Sequence, residues 1–354
     1  MLATLAVALG ASAQVDFRHI TFDEAKTAAK AEGKLIFVDF YTQWCGPCKL
    51  LAKKVFPTKE IGDYMNPRFI SLKLDAEAEG ANLAKEIEVT AYPTLAVFDA
   101  DGNILGRFEG FKEGVQFISA VEACTNPDLS PERVMERYEA GERDAKLVLA
   151  YADLMINKTR SYETGPQIID EYYASLSEDA KKDPENSYLY LQYLYDYNSP
   201  RAQYLLSHKD VIPADKKQAL DELIDNLYIG QAYKYMTTNE VKGSAETRKA
   251  YDAFKKDTAA NGMSDKLANM LLIADKRAEL DDVAFIAFCD NNFSKLTPDE
   301  QGYLVSGMKT LLPLDTEEQK KLATDFMRRH LAELSSPALV SAAYSIYEID
   351  APKH

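Results

Sequence analysis

Two cysteines separated by two residues are the side chains in this sequence best suited to covalent chemistry. Cys45 and Cys48 enclose Gly46 and Pro47, shortly after an apolar segment that ends at Tyr41. A thiolate is the nucleophile in disulfide exchange, and a helix N-terminus lowers a thiol pKa because its unpaired N–H groups point at the sulfur. Gly46 and Pro47 support this geometry, since proline suits the first helical turn. The spacing predicts that Cys45 is an exposed attacking thiol and that Cys48 resolves the mixed disulfide.

An acidic residue interrupts the apolar segment that precedes this pair. Asp39 lies within residues 35–41, a run of apolar and β-favouring residues in which an ionised carboxylate is costly without a partner. Burial would raise its pKa and make it a proton acceptor for Cys48 when that thiol attacks. Lys73, on the next predicted strand, is its candidate partner and supports the site. The alternative is an Asp39 that is solvated at a strand edge.

A proline and two aromatic residues complete the predicted site. Pro93 begins a predicted strand, and a proline at that position can adopt the cis form and present the preceding backbone to a substrate strand. Tyr92 stands directly before it, and Trp44 stands directly before Cys45. We assign Trp44, Tyr92 and Pro93 to substrate binding.

Strands and helices alternate in the first part of the chain. Thr21 and Glu24 have the spacing of a capping box, which predicts a helix to about Glu32. Asp101-Gly102 predicts the turn of a hairpin. The predicted elements are a short strand near 15–20, a helix over 21–32, a strand over 35–41, a helix from 46, a strand over 69–75, a helix over 80–87, strands over 94–98 and 104–108, and a helix over 115–124. This order predicts an α/β fold with a mixed central sheet and helices on both faces.

The pattern changes after residue 124. Residues 125–131 contain two prolines among polar residues, which indicates a boundary. Helical segments then recur, so we predict an α/β domain over 15–124 and an all-helical domain over 130–354, with degenerate helix-pair repeats. One predicted helix, 185–196, covers most of the tyrosine-rich run 188–197. We interpret its tyrosines as core residues with hydroxyls reaching the surface; the alternative is an aromatic patch that binds a ligand or peptide.

Taken together, these features resemble the thioredoxin family. The resemblance covers about residues 15–124, and it is carried by Val38-Asp-Phe40, the Trp44–Lys49 motif, Pro93-Thr94 and Gly110. A lone pair of cysteines at this spacing is a weak signal, whereas the motif together with the strand aspartate and the downstream proline is specific.

The resemblance implies a thioredoxin fold and assigns roles to residues. It implies a nucleophilic Cys45, a resolving Cys48, a proton-handling Asp39 and a cis Pro93 that contacts the substrate backbone. Two departures concern substrate range and redox potential. Residues 55–67 lengthen the region after the active-site helix, as in the C-terminal module of periplasmic thiol reductases, and Tyr92 replaces the aliphatic residue of small cytosolic thioredoxins.

Composition limits the partners. The chain is 46% apolar, as in a globular protein, and its formal charge of −15 argues against nucleic acid or an anionic membrane surface as a partner. Zinc needs four ligands, and neither a second Cys-x-x-Cys nor paired histidines are present, so we expect no metal and no cofactor beyond the redox-active cysteine pair. Cys124 and Cys289 are expected to be buried free thiols; a disulfide between them is the alternative in an exported protein.

The first residues predict export. Residues 2–13 form an apolar run that ends in Ala11-Ser12-Ala13, the small-x-small form of a signal-peptidase site, so residues 1–13 are predicted to be a signal peptide. No Lys or Arg precedes the run, which leaves an upstream start or a plain apolar N-terminus as alternatives. The expected location is the periplasm or another exported compartment, and the alternative is the cytoplasm.

Two classes of function follow. The first is a thiol–disulfide oxidoreductase that reduces disulfides of exported client proteins, with the helical domain recruiting clients and a membrane thiol donor supplying electrons. The thioredoxin dipeptide Gly46-Pro47 favours reduction, while a disulfide oxidase or isomerase remains open. The second is a binding, scaffold or chaperone-like protein whose helical repeats hold clients.

Overall fold

The computed structural model describes residues 14–161 and 163–351, and the predicted signal peptide, residues 1–13, lies outside this part. The chain divides into two compact units, one ending at Tyr193 and the other beginning at Leu194. Within the described ranges, no helix is both long enough and apolar enough to cross a bilayer.

The first unit begins with the predicted alternation of helices and strands. Thr21 caps the first helix through a complete capping box with Glu24. Pro57 and Pro67 flank α3, which is separate from the helical segment that begins at Gly46. The elements are α1 (Phe22–Glu32), β1 (Leu35–Tyr41), α2 (Gly46–Leu50), α3 (Lys59–Met65), β2 (Phe69–Asp75), α4 (Ala81–Glu86), β3 (Thr94–Phe98), β4 (Ile104–Glu109) and α5 (Gly114–Thr125). A π-helical stretch, Leu51–Val55, continues α2.

These strands form one mixed sheet in the order β2-β1-β3-β4. β1 pairs in parallel with β2 and antiparallel with β3, and β3 and β4 form the antiparallel hairpin. The predicted α/β fold is therefore confirmed. The short strand predicted near 15–20 is wrong, because only Phe17 forms a bridge, to Ser71 on β2.

Side chains of β1 alternate between two cores, one on each face of the sheet. Ile36, Val38 and Phe40 pack in the core that includes residues of α1 and α4. Phe37 packs in the core that includes Leu51 and residues of α3 and α5. Because successive strand residues point to opposite faces, Asp39 shares the face of Phe37, beneath the helix that follows the cysteine pair.

The chain after α5 is helical. In the first unit α7 packs against α5, α6 and α8, and in the second unit α12 packs against α14 and α16. The boundary predicted between the α/β domain and the helical domain, within 124–130, remains a prediction. The first compact unit extends past it and includes the helices up to Leu191. The helices are α6 (Pro131–Glu139), α7 (Ala145–Thr159), α8 (Thr164–Ser175), α9 (Glu178–Lys181), α10 (Tyr188–Leu191), α11 (Pro200–Ser207), α12 (Lys217–Thr237), α13 (Ala245–Ala260), α14 (Ala268–Glu279), α15 (Asp282–Asn292), α16 (Pro298–Leu311), α17 (Glu317–His330) and α18 (Ser336–Asp350).

The helix predicted over 185–196 is wrong. Only four residues of this run are α-helical; Gln192 is extended and Tyr193 has a φ of 53°. Tyr188 and Tyr190 both lie in the single helical turn α10 and are both buried, so opposite sides of that turn are covered by the protein. The Tyr190 hydroxyl donates to the Lys181 carbonyl at 3.0 Å, so this hydroxyl is satisfied inside the protein and does not reach the surface as expected.

Candidate active site

The cysteine pair lies where β1 passes into α2. Cys45 is the N-cap residue of α2, and its Sγ accepts a hydrogen bond from the backbone N–H of Cys48 at 3.1 Å. Gly46 and Pro47 occupy the first helical turn and are exposed. The two cysteines are joined as a disulfide, with their Cα atoms 5.3 Å apart. The sulfur of Cys45 therefore sits at a helix N-terminus, as the sequence predicts.

Cys45 is less accessible than expected. Only 2% of Cys45 and 2% of Cys48 are exposed, whereas Trp44 is 66% exposed. The expectation of an exposed attacking thiol is therefore wrong for this disulfide form. In this form the Cys45 sulfur is bonded to Cys48, and the neighbours Trp44, Gly46 and Pro47 supply the exposed surface of the site.

Asp39 is fully buried beneath this helix. Burial raises the pKa of Asp39 to about 7, and the Lys73 ammonium opposes that increase. Lys73 is opposite Asp39 in the parallel pairing of β1 and β2, and its Nζ lies 3.9 Å from Asp39 Oδ2. The sequence alternative of a solvated Asp39 is excluded. A carboxyl group that titrates near neutral pH suits proton exchange with a thiol.

Neither oxygen of Asp39 has a hydrogen-bond partner among the residues that the structure describes. The hydroxyls of Thr42 and Ser71 are also buried without partners there. Buried polar atoms are nearly always paired, and an unpaired one costs about 1–3 kcal/mol. An unpaired carboxyl group does not stabilise the fold, so a role in proton transfer is the better explanation for Asp39.

The predicted substrate-binding residues, Trp44, Tyr92 and Pro93, lie together near the end of β1 that leads into the cysteine pair. The Tyr92–Pro93 peptide bond is cis, as the family resemblance implies. The Pro93 carbonyl accepts from the Gly110 N–H at 2.9 Å, but the backbone N–H and C=O of Tyr92 have no partner among the described residues. The ring of Tyr92 meets that of Trp44 edge to face, with centroids 5.8 Å apart. A free backbone donor and acceptor beside two rings can receive an extended peptide.

The loop after β2 also belongs to the site, although no sequence motif pointed to it. Glu77 accepts a hydrogen bond from the indole of Trp44 at 3.0 Å, and Asp75 accepts one from Gln43 at 2.9 Å. A signal was present, because parallel strands end at the same edge of a sheet and three acidic residues lie within 75–79.

Two further expectations concern the remaining cysteines and metal binding. Cys124 and Cys289 are buried free thiols, and burial raises the pKa of Cys124 to about 12, so the expectation for them is confirmed. Across residues 14–161 and 163–351, no group of three or more His, Cys, Asp or Glu side chains is placed to hold a metal ion. The expected absence of a metal or other cofactor remains a prediction.

Comparison with known proteins agrees with this geometry. A family model for a thioredoxin-like domain matches residues 22–125. Mitochondrial thioredoxin-3 of Saccharomyces cerevisiae is 40% identical over 87 residues, 25% of this chain and 63% of that protein. Thioredoxin-T of Drosophila melanogaster is 39% identical over 80 residues, 23% of this chain and 48% of that protein. The chain thus spans about half to two thirds of the length of these curated relatives.

Solved structures match the same region. A candidate disulphide-isomerase from Bacteroides thetaiotaomicron is 37% identical and covers 33% of this chain and 98% of its own, with a TM-score of 0.31. Thioredoxin f from spinach chloroplast is 28% identical and covers 32% of this chain and 96% of its own, with a TM-score of 0.26. Sequence match, sheet order and disulfide define residues 22–125 as a thioredoxin-like domain. An all-helical region follows it.

Proposed function

We propose that this protein is a thiol–disulfide oxidoreductase that reduces disulfides in client proteins. The observation that carries the proposal is the Cys45–Cys48 disulfide at a helix N-terminus with the buried Asp39 carboxyl group beneath it. The thioredoxin-like relatives support the same chemistry.

The reaction has two exchange steps. In the reduced protein the Cys45 thiolate attacks one sulfur of a client disulfide, forms a mixed disulfide and releases the other client sulfur as a thiolate. Asp39 accepts the proton of the Cys48 thiol, and the Cys48 sulfur then attacks Cys45 Sγ. The second client sulfur leaves as a thiolate. The client gains two electrons, and the Cys45–Cys48 disulfide forms.

Electrons must return to the protein from an external dithiol. We propose an exported location, supported by the apolar run 2–13 and its Ala11-Ser12-Ala13 ending, and there the donor would be a membrane thiol protein. The test is sequencing of the mature N-terminus together with cell fractionation. A mature chain that starts at Gln14 in the exported fraction supports this location, and an uncleaved chain in the cytoplasm contradicts it.

Trapping of clients tests the function. A Cys48→Ser variant cannot resolve its mixed disulfide, so clients should accumulate on Cys45 and be released by dithiothreitol. Cys45→Ser is the matched control and should trap none. The protein should also reduce insulin disulfides, and absence of both adducts and reduction would reject the proposal.

The redox potential tests the direction of electron flow. The Gly46-Pro47 dipeptide supports a reducing protein. Equilibration of the full chain with defined dithiol buffers should give a potential near that of thioredoxin, about −270 mV, and a value above about −180 mV would favour a disulfide oxidase or isomerase.

We also propose that the helical region, 130–354, recruits clients, because stacked helices present extended binding surfaces. Chemical cross-linking of the trapped Cys48→Ser adducts, followed by mass spectrometry, tests this. Cross-links from the client to helices beyond α5 support recruitment. Cross-links confined to residues 22–125 contradict it, while leaving the redox function intact.

A further inference from the structure

The last helix of the described chain, α18, exposes an apolar face. Val340, Tyr344 and Tyr347 are spaced four and three residues apart, so they lie on one side of the helix. They are 71%, 60% and 70% exposed, and Ala343 between them is exposed too. A continuous apolar patch on a protein surface marks an interaction site, and we call these four residues the outer face of α18.

The opposite side of α18 is fixed within the second unit. Ala342, Ser345 and Ile349 are buried, and the helix packs against α16 and α17. The approach to α16 is close, because a Cβ atom on Gly302 would lie 2.9 Å from the Cβ of Ala338. The outer face is therefore the exposed side of a well-packed helix.

The outer face also carries no charge. Residues 336–347 contain no Asp, Glu, Lys or Arg, although these residue types make up 27% of the chain. By contrast, α13 in the same unit exposes charges of both signs, among them Lys249 and Asp252. A stack of helices needs a polar outer face where it ends, so an apolar outer helix indicates that a further element packs on it.

The charges at the rim of this face cancel one another. Glu348 Oε2 lies 3.0 Å from Lys309 Nζ, and Asp350 forms an ion pair with Arg328. The patch is therefore neutral, on a chain whose formal charge is −15. Two copies of so acidic a chain repel each other over most of their surfaces, whereas this face can meet its own copy without that repulsion. A strongly charged partner would gain no attraction there.

We propose that the outer face of α18 binds a second copy of this chain about a two-fold axis, with the two α18 helices antiparallel. In such a pair each contact occurs twice, and the residue numbers of opposing positions have a constant sum. With the axis between Ala343 and Tyr344, Val340 lies opposite Tyr347 of the second copy and Ala343 lies opposite its Tyr344. Each pair sets a smaller side chain against a larger one, so the two faces interdigitate.

The antiparallel register also keeps like charges apart. Glu348 of one copy lies opposite Leu339 of the other, and Asp350 lies opposite Pro337. In a parallel register, Glu348 of each copy would lie beside Glu348 of the other, which would repel. The arrangement of charges therefore favours the antiparallel pair.

The size of the face predicts a weak dimer. α18 has 15 residues, which makes it about 22 Å long. A contact made by one such helix from each copy lies at the low end of interface sizes, under about 1,200 Å² of total buried area. The dimer should therefore be reversible, with a Kd of about 10–100 μM.

Sedimentation velocity of the full chain over about 1–200 μM provides the first test. Wild-type protein should pass from monomer to dimer across this range, and raising the salt concentration should not weaken the dimer, because the contact is apolar. Tyr344→Glu places two carboxylates beside the axis and should weaken the dimer at least about tenfold. Ala250→Glu adds the same charge at an exposed position of α13 and is the matched control, which should dimerise as wild type.

Cross-linking gives a second readout that does not depend on weakening the dimer. Cys45 and Cys48 are joined as a disulfide, and Cys124 and Cys289 are buried, so a new surface thiol is the reactive one. The Ala343→Cys variant places this thiol beside its counterpart across the axis, and a short bis-maleimide should link two copies. The Ala250→Cys variant is the matched control and should stay monomeric.

Several results would overturn this interface. A wild-type chain that stays monomeric at the highest concentration contradicts it, and so does a dimer that persists unchanged in Tyr344→Glu. Equal cross-linking of the Ala343→Cys and Ala250→Cys variants would show random collision. If the chain is monomeric and Tyr344→Glu removes the client cross-links of trapped Cys48→Ser adducts, the face binds clients and the second copy is the wrong occupant. Insulin reduction by wild-type protein is measured separately, so the redox function stands or falls independently.

Discussion

Asp39 in the thioredoxin-like domain is fully buried and Asp257 in the second unit is partly buried, and the two carboxyl groups differ in their hydrogen-bond partners. Asp39 is fully buried and has no hydrogen-bond partner within the described chain. Asp257 Oδ2 accepts from the hydroxyls of Tyr197 and Tyr228 at 2.6 and 2.5 Å, and its Oδ1 accepts from Asn261 at 3.0 Å. One carboxyl group lies in the core with no hydrogen bond from the described residues and only Lys73 3.9 Å away, and the other is the centre of a hydrogen-bonded network.

The difference supports the proposed reactive role of Asp39 and a structural role for Asp257. Burial, and then the hydrogen bond to Asp257, raise the pKa of Tyr197 and Tyr228, so both remain hydroxyl donors at neutral pH. A satisfied network contributes to the stability of its unit. Asp39 is fully buried and has no hydrogen-bond donor among the described residues, and the cost of its burial appears as a raised pKa, which the Lys73 ammonium only partly opposes.

The largest expected effect is on the pH dependence of stability. Because the pKa of Asp39 is about 7 in the folded chain and about 4 when unfolded, the folded protein keeps a proton that the unfolded chain releases above about pH 4. The contribution of the protonated Asp39 to the free energy of unfolding is therefore fully present below about pH 4 and is lost as the pH rises through about 7.

Asp39→Asn removes this loss, so it should raise the free energy of unfolding at about pH 8 by up to about 4 kcal/mol and change it little at about pH 4. Urea unfolding at both pH values measures the difference. Equal effects at the two pH values would contradict the raised pKa.

The next effect is on catalysis. Asp39→Asn should slow resolution of the mixed disulfide about a hundredfold, because a general base for the Cys48 thiol is lost. Single-turnover reduction followed against pH should show a rise near pH 7 in wild-type protein and no such rise in the variant. Asp257→Asn is the matched control, and a comparable loss of rate in that variant would remove the distinction between the two carboxyl groups.

A smaller effect, opposite in sign to that at Asp39, is expected at Asp257. Asp257→Ala leaves two tyrosine hydroxyls without their acceptor, so it should lower the free energy of unfolding by about 2–3 kcal/mol. Thermal and urea unfolding measure it, with insulin reduction at a permissive temperature unchanged. A neutral or stabilising result would show that the tyrosine network does not stabilise its unit.

The smallest effect concerns a single member of that network. Tyr228→Phe removes one donor while Tyr197 and Asn261 still bond Asp257, so a loss of about 1 kcal/mol is expected. The ring and its packing on Phe254 remain. Urea unfolding beside Asp257→Ala gives the comparison, and a loss as large as that of Asp257→Ala would mean that the network acts through one bond.

Sequence patterns predicted the elements of the thioredoxin-like domain because each pattern there is local. The capping box at Thr21, the apolar run of β1 and the Asp101-Gly102 turn each specify backbone geometry within a few residues. The Asp39–Lys73 proximity was also predictable, since both residues lie on neighbouring strands. In the tyrosine-rich run the pattern failed, because the predicted long helix ends at Leu191 after a single turn, and no spacing within the run specifies contacts such as the bond from the Tyr190 hydroxyl to the Lys181 carbonyl.

From the sequence alone came the identity of the reactive pair, the strand that carries Asp39 and the order of helices and strands, because spacing and polarity along the chain encode them. The tertiary structure decided how far each group is exposed and what it touches: the concealment of the Cys45 sulfur, the missing donors around Asp39 and the bond from Trp44 to Glu77. Such features depend on segments tens of residues apart meeting at one edge of a sheet, and no local pattern specifies that meeting.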